Sequence, residues 1–286
     1  MSRKGVLLLG GTGFIGGALA RRMQQEGINV HILGRHNAEG LEQVLPKCDT
    51  VIHLASVTTP SSSAGHRGLE VGNLVLTLRL LELLQSQPDT HMIFFSSGGT
   101  VYGDPSRLPV TEESLIAPLS NHGAGKAAQE AFCEAFRGQG RALTILRLSN
   151  AYGPGQLPKP GFGLIRTMLD HACAGTSATV WGDGENVRDF IYIDDIVEAT
   201  TRLVKLPEDS KTYNLGSGVG FSINQVRAMI EAVCGKELRT VYLPKRGVDV
   251  HSVVLDSSRL HSRLDWQPRI GLAEGLTRTW QWLQQA

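Results

Sequence analysis

Short apolar runs alternate along the first half of the chain with stretches in which apolar residues recur at helical spacing. The runs that suit buried strands are Gly5–Leu9, Ile28–Leu33, Thr50–Ala55, His91–Phe95 and Ala142–Leu148. The helical stretches between them are Phe14–Gln25, roughly Glu39–Leu45, Leu69–Gln87 and Gly125–Arg137. This alternation of strands and helices predicts an α/β fold with a doubly wound, parallel sheet.

A glycine run links the first strand to the first helix. It reads Gly10-Gly11-Thr12-Gly13-Phe14-Ile15-Gly16, with the spacing GxxGxxG. A strand, a glycine turn and a helix in this order place bare backbone N–H groups at the positive end of the helix dipole. Gly10 permits the tight turn, Gly13 lets the backbone approach phosphates, and Gly16 lets the helix pack close to the strand. The run therefore predicts a pyrophosphate site for a dinucleotide.

The connection after the second strand is short, because only Arg35 to Asp49 separates it from the next clear strand. A usual third strand and its helix are predicted to be compressed or absent. After Asn150, turn-forming glycines and prolines precede smaller elements. These are Ala178–Trp181, Val187–Ile193, Thr212–Leu215 and helices at Asp194–Lys205, Ile223–Val233 and Leu272–Gln285. We predict a dinucleotide-binding domain in residues 1–150 and mainly a substrate-binding lobe in residues 151–286, with some interleaving.

Composition limits the classes of partner. The chain has 286 residues, a formal net charge of +1 and no block of like charge. We therefore expect no nucleic-acid partner and no membrane insertion. The four cysteines are far apart and form no CxxC pair, which favours buried thiols over a metal site or disulfides. With no secretory signal peptide expected either, the predicted location is the cytoplasm.

Beyond the glycine run, a series of ordered motifs resembles the extended short-chain dehydrogenase/reductase family, in its sugar-nucleotide epimerase/dehydratase branch. The matching segments are Asp49–Ala55, Asn73, Phe95–Ser97, Val101–Gly103, Asn150–Gly155, Trp181–Gly184, Arg188–Tyr192, Asp194-Asp195, Tyr213–Gly218 and Arg246 with Asp249. The resemblance covers nearly the whole chain. It implies a Rossmann-type sheet and a nucleotide-sugar epimerase (an isomerase) or dehydratase that oxidises a sugar carbon transiently with NAD(P). The implied pathway makes surface polysaccharide such as lipopolysaccharide, the implied substrate is a UDP-sugar, and a homodimer is expected.

The resemblance also assigns site residues. The expected cofactor-binding residues are Gly10, Gly11, Thr12, Gly13, Phe14, Ile15, Gly16, Gly34, Arg35, Leu54, Ala55, Asn73 and Lys126. The expected substrate-binding residues are Asn150, Trp181, Arg188, Arg246 and Asp249. No metal site is expected.

The chemistry of the substrate-binding residues leaves alternatives open. The planar guanidinium groups of Arg188 and Arg246 suit a diphosphate, or they lie on solvated turns. Trp181 stacks on a nucleobase or is a half-buried core residue. Asn150 bonds the diphosphate or caps the following turn.

The chain departs from the family at the catalytic residues, which in the family are a Ser or Thr, a Tyr and a Lys. Lys126 occupies the lysine position, but His122 stands at the tyrosine position and Gly98 at the Ser/Thr position. An imidazole titrates near neutral pH, and a nearby Lys126 cation favours its neutral, base-competent form. However, an imidazole differs from a phenol in reach, and a misplacement of about 1 Å can cost 10²-fold in rate.

Two interpretations therefore remain: catalysis through His122, or no catalysis at this site. Ser97 and Thr100 are candidates to replace the missing hydroxyl, with Thr100 favoured because strand alternation points Ser97 away from position 98. Both are included with His122 and Lys126 as candidate catalytic residues. The corresponding functions are an epimerase or dehydratase, or a non-catalytic binder of NAD(P) and nucleotide sugar.

The form of the cofactor depends on the end of the second strand. Gly34-Arg35 replaces the acidic residue that usually binds the adenosine ribose diol. A guanidinium there favours a 2′-phosphate, or it stacks on adenine, and an NADP-dependent reductase is a third hypothesis. Since most relatives in this branch use NAD, we expect NAD rather than NADP.

Overall fold

A six-stranded parallel sheet lies at the centre of the computed structural model, which describes residues 5–34, 40–159, 161–207 and 209–285. Its strands are β1 (Val6–Leu9), β2 (Val30–Leu33), β3 (Thr50–His53), β4 (His91–Ser97), β5 (Leu143–Leu148) and β9 (Thr212–Leu215). They lie side by side in the order β2-β1-β3-β4-β5-β9. All five pairings are parallel, so the predicted doubly wound sheet is confirmed as a Rossmann-type α/β fold.

Helices cover both faces of this sheet. They are α1 (Phe14–Gln25), α2 (Leu41–Val44), α3 (Glu70–Leu84), α4 (Gly98–Val101), α5 (Asn121–Gly138) and α7 (Ile193–Val204). Helices α1 and α7 pack against each other on one face, and α3 and α5 pack against each other on the other. Successive strand residues point to opposite faces, so Leu8 lies in the core under α1 and Leu7 in the core under α3. Burial on both faces explains the continuous apolar runs of the strands.

The short connection after β2 has the predicted consequence. In the part of the chain that the structure describes, β2 pairs only with β1 and forms the edge of the sheet. The connection holds α2 and a 3-10 turn at Leu45–Lys47 before β3 pairs directly with β1.

The remaining elements form smaller sheets and their helices. They are β6 (Asn150–Tyr152), α6 (Leu164–Ala174), β7 (Ala178–Trp181), β8 (Val187–Tyr192), β10 (Gly220–Ser222), α8 (Ile223–Cys234), β11 (Thr240–Leu243), β12 (Ser252–Val253), α9 (Ser258–Leu264) and α10 (Leu272–Leu283). One sheet has the order β10-β8-β12 with β6 also on β8, and β7 pairs with β11. Because β9 joins the large sheet, residues on both sides of position 150 build that sheet.

Helix α5 begins four residues before the predicted start at Gly125. Ser120 caps it, with its hydroxyl accepting a hydrogen bond from Gly123 N at 3.1 Å. Two early glycines weakened the helical pattern in the sequence. As a result, His122 lies in the first turn of the helix, whereas the predicted start at Gly125 would leave it in the preceding loop.

Candidate active site

The glycine run follows the carboxyl end of β1, the edge at which doubly wound sheets bind ligands. Gly10 has a φ of +95°, and a Cβ there would lie 2.7 Å from the amide nitrogen of Ala55. A Cβ on Gly16 would overlap the carbonyl oxygen of Gly10 and lie 2.6 Å from Cα of Gly11. These glycines are therefore required where the loop packs on itself and on the segment after β3.

Gly13 differs from its neighbours. It is exposed and is the N-cap of α1, where a Cβ would meet only the carbonyl oxygen of Gly10, at 3.3 Å. No side chain caps the helix and its first turn has no acidic residue, so the N–H groups of Phe14 and Ile15 remain available to an anion. An exposed Thr12 precedes this turn. The bare backbone around Gly13 fits the pyrophosphate of a dinucleotide.

The adenosine side of the predicted cofactor site is described in part. Gly34 is buried directly after β2, and Gly10 N donates to Leu33 O at 2.7 Å. Arg35, the residue proposed to distinguish the two cofactors, lies outside the described residues.

The segment after β3 lines the same edge. Leu54 N donates to Leu9 O at 2.8 Å, which places Leu54 and the buried Ala55 beside the glycine loop. Asn73 is buried on α3, and its side chain makes three hydrogen bonds within the protein. Its Oδ1 accepts from Val57 N at 2.8 Å, and its Nδ2 donates to Thr58 Oγ1 at 2.8 Å and to Glu70 Oε2 at 2.9 Å. Asn73 thus fixes the loop after β3 to α3, and its contact with the nicotinamide half stays a prediction.

His122 and Lys126 lie one turn apart on one face of α5. The Lys126 ammonium donates to Phe95 O at 2.8 Å and lies 4.8 Å from the centroid of the Phe94 ring. Burial lowers the pKa of Lys126 to about 8. The lysine is therefore held at the carboxyl end of β4, at the edge where such sheets bind ligands, and its catalytic and cofactor-binding roles stay predictions.

His122 is 8% exposed, and its Nδ1 lies 3.2 Å from Thr58 Oγ1 and 3.7 Å from Glu70 Oε1. Burial and the Lys126 cation lower the pKa of His122 to about 4, although Glu70 acts in the opposite direction. The ring is thus neutral at physiological pH, which is the form that accepts a proton. Glu70 and Thr58 were not predicted as site residues, because an isolated acid at a helix start and a loop threonine give no signal of their own.

The space beside position 98, where the family has a hydroxyl, is filled by Leu255. A Cβ on Gly98 would lie 2.6 Å from Leu255 Cδ1 and 3.0 Å from Arg147 O. Thr100 Oγ1 donates back to Ser97 O at 3.4 Å, and Ser97 makes no side-chain cap bond where α4 begins. The catalytic roles of Thr100 and Ser97 stay predictions.

Three predicted substrate-binding residues form one cluster. Arg246 makes a two-pronged ion pair with Asp249, at 2.8 and 2.7 Å, and its guanidinium lies 4.8 Å from the Trp181 ring centroid. Trp181 is 39% exposed, so part of its indole ring remains accessible to a ligand. The cluster therefore offers a cation beside an aromatic face, and this combination suits a nucleotide.

Arg188 and Asn150 are engaged elsewhere. The terminal nitrogens of Arg188 donate to Val250 O at 2.5 Å, Val187 O at 2.9 Å and His251 O at 3.2 Å. Burial lowers the pKa of this guanidinium. Asn150 lies in β6 and donates to Asp189 O at 2.9 Å, so it ties β6 to β8. Their contact with a diphosphate stays a prediction.

Across residues 5–34, 40–159, 161–207 and 209–285, no cluster of His, Cys, Asp and Glu side chains has the arrangement of a metal site. The helices of those same ranges include none with the length and apolarity needed to span a membrane. All four cysteines are free thiols.

The parallel sheet, the bare glycine turn and the lysine at the end of β4 define a dinucleotide-binding protein of the Rossmann type. Residues 6–216 match the model of the NAD dependent epimerase/dehydratase family. Since the match spans most of the chain, the protein belongs to this family.

The chain is similar to known proteins over almost its full length. The chain is 29% identical to a UDP-glucose 4-epimerase of Mycolicibacterium smegmatis, with 96% of each chain covered. It is 28% identical to the crystal structure of UDP-glucose 4-epimerase from Thermotoga maritima with UDP-glucose, with a TM-score of 0.91 and coverage of 98% and 99%. It is 27% identical to the UDP-glucose 4-epimerase of Thermus thermophilus in complex with NAD, with a TM-score of 0.90 and the same coverage.

Proposed function

We propose that this protein is an NAD-dependent epimerase or dehydratase of a nucleotide sugar, with a UDP-sugar as its substrate. Membership of the family and the full-length similarity to UDP-glucose 4-epimerases support the reaction class. The proposal rests chiefly on one structural observation: His122 and Lys126 lie together on one face of α5. They lie at the same sheet edge as the glycine run Gly10–Gly16, called the glycine cradle below.

The glycine cradle and the start of α1 would hold NAD through its pyrophosphate. When bound, NAD accepts and returns a hydride, which is chemistry that no side chain here supplies. The similar Thermus thermophilus enzyme was crystallised as a complex with NAD, which supports NAD over NADP. The NADP-dependent reductase hypothesis depends on Arg35 alone, and that residue lies outside the described part of the chain.

His122 acts as the proton acceptor for a sugar hydroxyl in this proposal. Its Nε2 has no hydrogen-bond partner among the described residues, whereas Nδ1 is engaged within the protein. Burial, together with the positive charge of Lys126, lowers the pKa of His122 and keeps the ring neutral until the proton arrives. Return of the proton from Nε2 to the sugar oxygen, as the carbon regains a hydride on its opposite face, would complete an epimerisation. General acid–base transfer of this kind contributes about 10²–10⁴-fold.

The Trp181–Arg246–Asp249 cluster would bind the nucleotide part of the substrate. Trp181 offers a stacking face, and Arg246 exchanges one interaction with Asp249 for a phosphate oxygen. Arg188 and Asn150 are assigned a supporting contact with the diphosphate.

A non-catalytic NAD and nucleotide-sugar binder is the second candidate. It is favoured by one observation: the site of the missing hydroxyl is filled by Leu255 and leaves no room for a side chain at position 98.

The assembly and cellular setting follow from the same proposal. Exposed Val71 and Val75 on α3 and Phe132 on α5 support a homodimer through the paired helices. The free cysteines support a cytoplasmic location, and the family resemblance supports a role in surface-polysaccharide biosynthesis such as that of lipopolysaccharide.

A panel of UDP-sugars tests the proposal directly. The NAD-loaded protein is incubated with each sugar, and the products are resolved by NMR, with Lys126→Ala as the inactive control. We expect one epimer or dehydrated product without net consumption of cofactor. Tight binding of NAD and UDP without turnover would support the binder instead, and stoichiometric consumption of NADPH would support a reductase.

A further inference from the structure

A buried carboxylate lies behind His122, on the side away from its free nitrogen. Glu70 is 8% exposed at the start of α3. Its Oε2 accepts hydrogen bonds from Thr58 Oγ1 at 3.0 Å and Asn73 Nδ2 at 2.9 Å. Its Oε1 is buried with no hydrogen-bond partner and lies 3.7 Å from His122 Nδ1. A buried carboxylate oxygen without a hydrogen-bond partner is costly, and the His122 imidazole lies beside it.

The hydrogen bonds around Thr58 determine which ring nitrogen holds the proton. A threonine hydroxyl has one proton to donate, and that proton goes to Glu70 Oε2. The hydroxyl oxygen of Thr58 also accepts from Asn73 Nδ2. The shorter of its two other contacts, 3.2 Å from His122 Nδ1 against 3.5 Å from Ser56 Oγ, therefore requires that Nδ1–H is the donor. Nε2 is then unprotonated and able to accept a proton.

Helix α5 also makes room for this carboxylate. A Cβ on Gly125 would lie 2.6 Å from Glu70 Oε2 and 3.0 Å from its Cδ. A glycine inside a helix costs about 0.5–1 kcal/mol relative to alanine. The space gained at Gly125 is occupied by the Glu70 side chain, so the glycine and the acid fit each other.

We propose that Glu70, directly and through Thr58, is the positioning residue for His122, which stands at the position of the family's tyrosine. Glu70 holds the ring with Nδ1 protonated and with Nε2 free to accept a proton. The role in turnover rests on the proposed function, but the hydrogen-bond arrangement does not. When Nε2 takes the hydroxyl proton, the ring becomes an imidazolium next to the Lys126 ammonium. Glu70 offsets that repulsion and makes the proton transfer possible.

The charged groups that act on the His122 ring come from three segments. Lys126 on the same helix and Lys159 in the loop before α6 disfavour the imidazolium, and Glu70 on α3 favours it. Removal of the Glu70 charge leaves only the two cations. The pKa of His122, about 4 in the intact protein, should therefore fall further in Glu70→Gln.

The test measures the ring itself in the protein without added cofactor or substrate. Nitrogen-15 NMR distinguishes the two imidazole tautomers, and His122→Gln assigns the signal among the nine histidines. We expect the Nδ1–H tautomer in the wild type, and in Glu70→Gln a lower titration midpoint with a mixture of tautomers. Glu134→Gln removes a paired carboxylate about 18 Å further along the same helix and should change neither property.

Turnover is the second measurement. With NAD bound, Glu70→Gln should lower kcat at least about tenfold with little change in KM, and Glu70→Asp should restore part of the loss. An Nε2–H tautomer in the wild type, or an unchanged ring in Glu70→Gln, would overturn the positioning role. The wild-type tautomer decides this even if the variant fails to fold. Absence of turnover in a wild type with the Nδ1–H tautomer would instead contradict the proposed function and leave the pairing intact.

Discussion

Replacing Gly13 or Gly16 by alanine separates cofactor binding from folding at the glycine cradle. The two positions lie in the same turn but have opposite surroundings. At Gly13 the backbone has a φ of −81°, and an added Cβ would meet only Gly10 O, at 3.3 Å. At Gly16 the added Cβ would overlap Gly10 O and lie 2.6 Å from Gly11 Cα. Both of these are backbone atoms of the tight turn, so they cannot shift aside as a flexible side chain could.

These surroundings set the expected stabilities. Gly13→Ala replaces an acceptable N-cap residue by a poor one in a backbone conformation that alanine can adopt, so the change should cost about 1 kcal/mol. Gly16→Ala overpacks a strand–helix contact, which costs about 1–3 kcal/mol or more. For a chain of this size that cost lowers Tm by roughly 2–12 °C.

Affinity for NAD should show a different order. A methyl group at the bare turn hinders charge-assisted bonds from the N–H groups of α1, and each such bond is worth about 1.5–3 kcal/mol, or roughly ten- to a hundredfold in Kd. Calorimetric titration with NAD and thermal unfolding on the same samples give both quantities. Gly13→Ala with wild-type affinity would refute the cradle as the pyrophosphate site, and equal losses of Tm in the two variants would refute the packing argument.

Gly98→Ser should destabilise the fold by about 1–3 kcal/mol, because its Cβ would lie 2.6 Å from Leu255 Cδ1. In urea unfolding, the combination with Leu255→Ala should cost less than the sum of the single changes by about 0.5–3 kcal/mol, and strict additivity would contradict the contact. Arg246→Ala should weaken UDP binding by about 1.5–3 kcal/mol in calorimetric titration, and unchanged affinity would leave it only a structural role. Burial lowers the pKa of His122 to about 4 and of Lys126 to about 8, so kcat/KM should fall below pH 4 as the base is protonated and above pH 8 as the ammonium is lost. An acidic limb near the ordinary histidine value, about 6.5, would count against a buried His122 base.

Local signals made much of this fold predictable from sequence. The bounds of α1, β7 and β9 agree with the prediction to the residue, since each is bounded by clear turn signals or an abrupt change of period. Around the glycine run, a strand, a turn and a helix follow one another directly between Val6 and Gln25. The architecture of the large sheet followed from the same alternation.

Elements with weaker local signals were missed. Helix α6 was not predicted, although Gly163 and Gly175 flank it in left-handed conformations and the second is its C-cap. Strand β6 was treated as part of a turn-rich segment because it has only three residues before Gly153 and Pro154. Such short pieces become ordered through pairing with distant strands, in this case β8.

The surroundings of the altered catalytic residues were beyond sequence reasoning for a related reason. Thr58, Glu70 and His122 meet from a loop and two helices, and Leu255 reaches Gly98 from the far end of the chain. No spacing rule relates residues that only the tertiary fold brings together. The resemblance located the positions, but it gave no information about their new neighbours.

The two departures from the family pattern are both accommodated by the protein around them. Leu255 occupies the space beside Gly98, and Gly125 leaves the space that Glu70 occupies beside His122. Here the imidazole has a hydrogen-bond partner on one nitrogen and none on the other among the described residues, which is the arrangement a base requires. His122→Tyr alone would place a phenol next to the Glu70 carboxylate and leave position 98 without a hydroxyl. A single reversion to the family's tyrosine is therefore expected to gain little, because the site is organised around histidine.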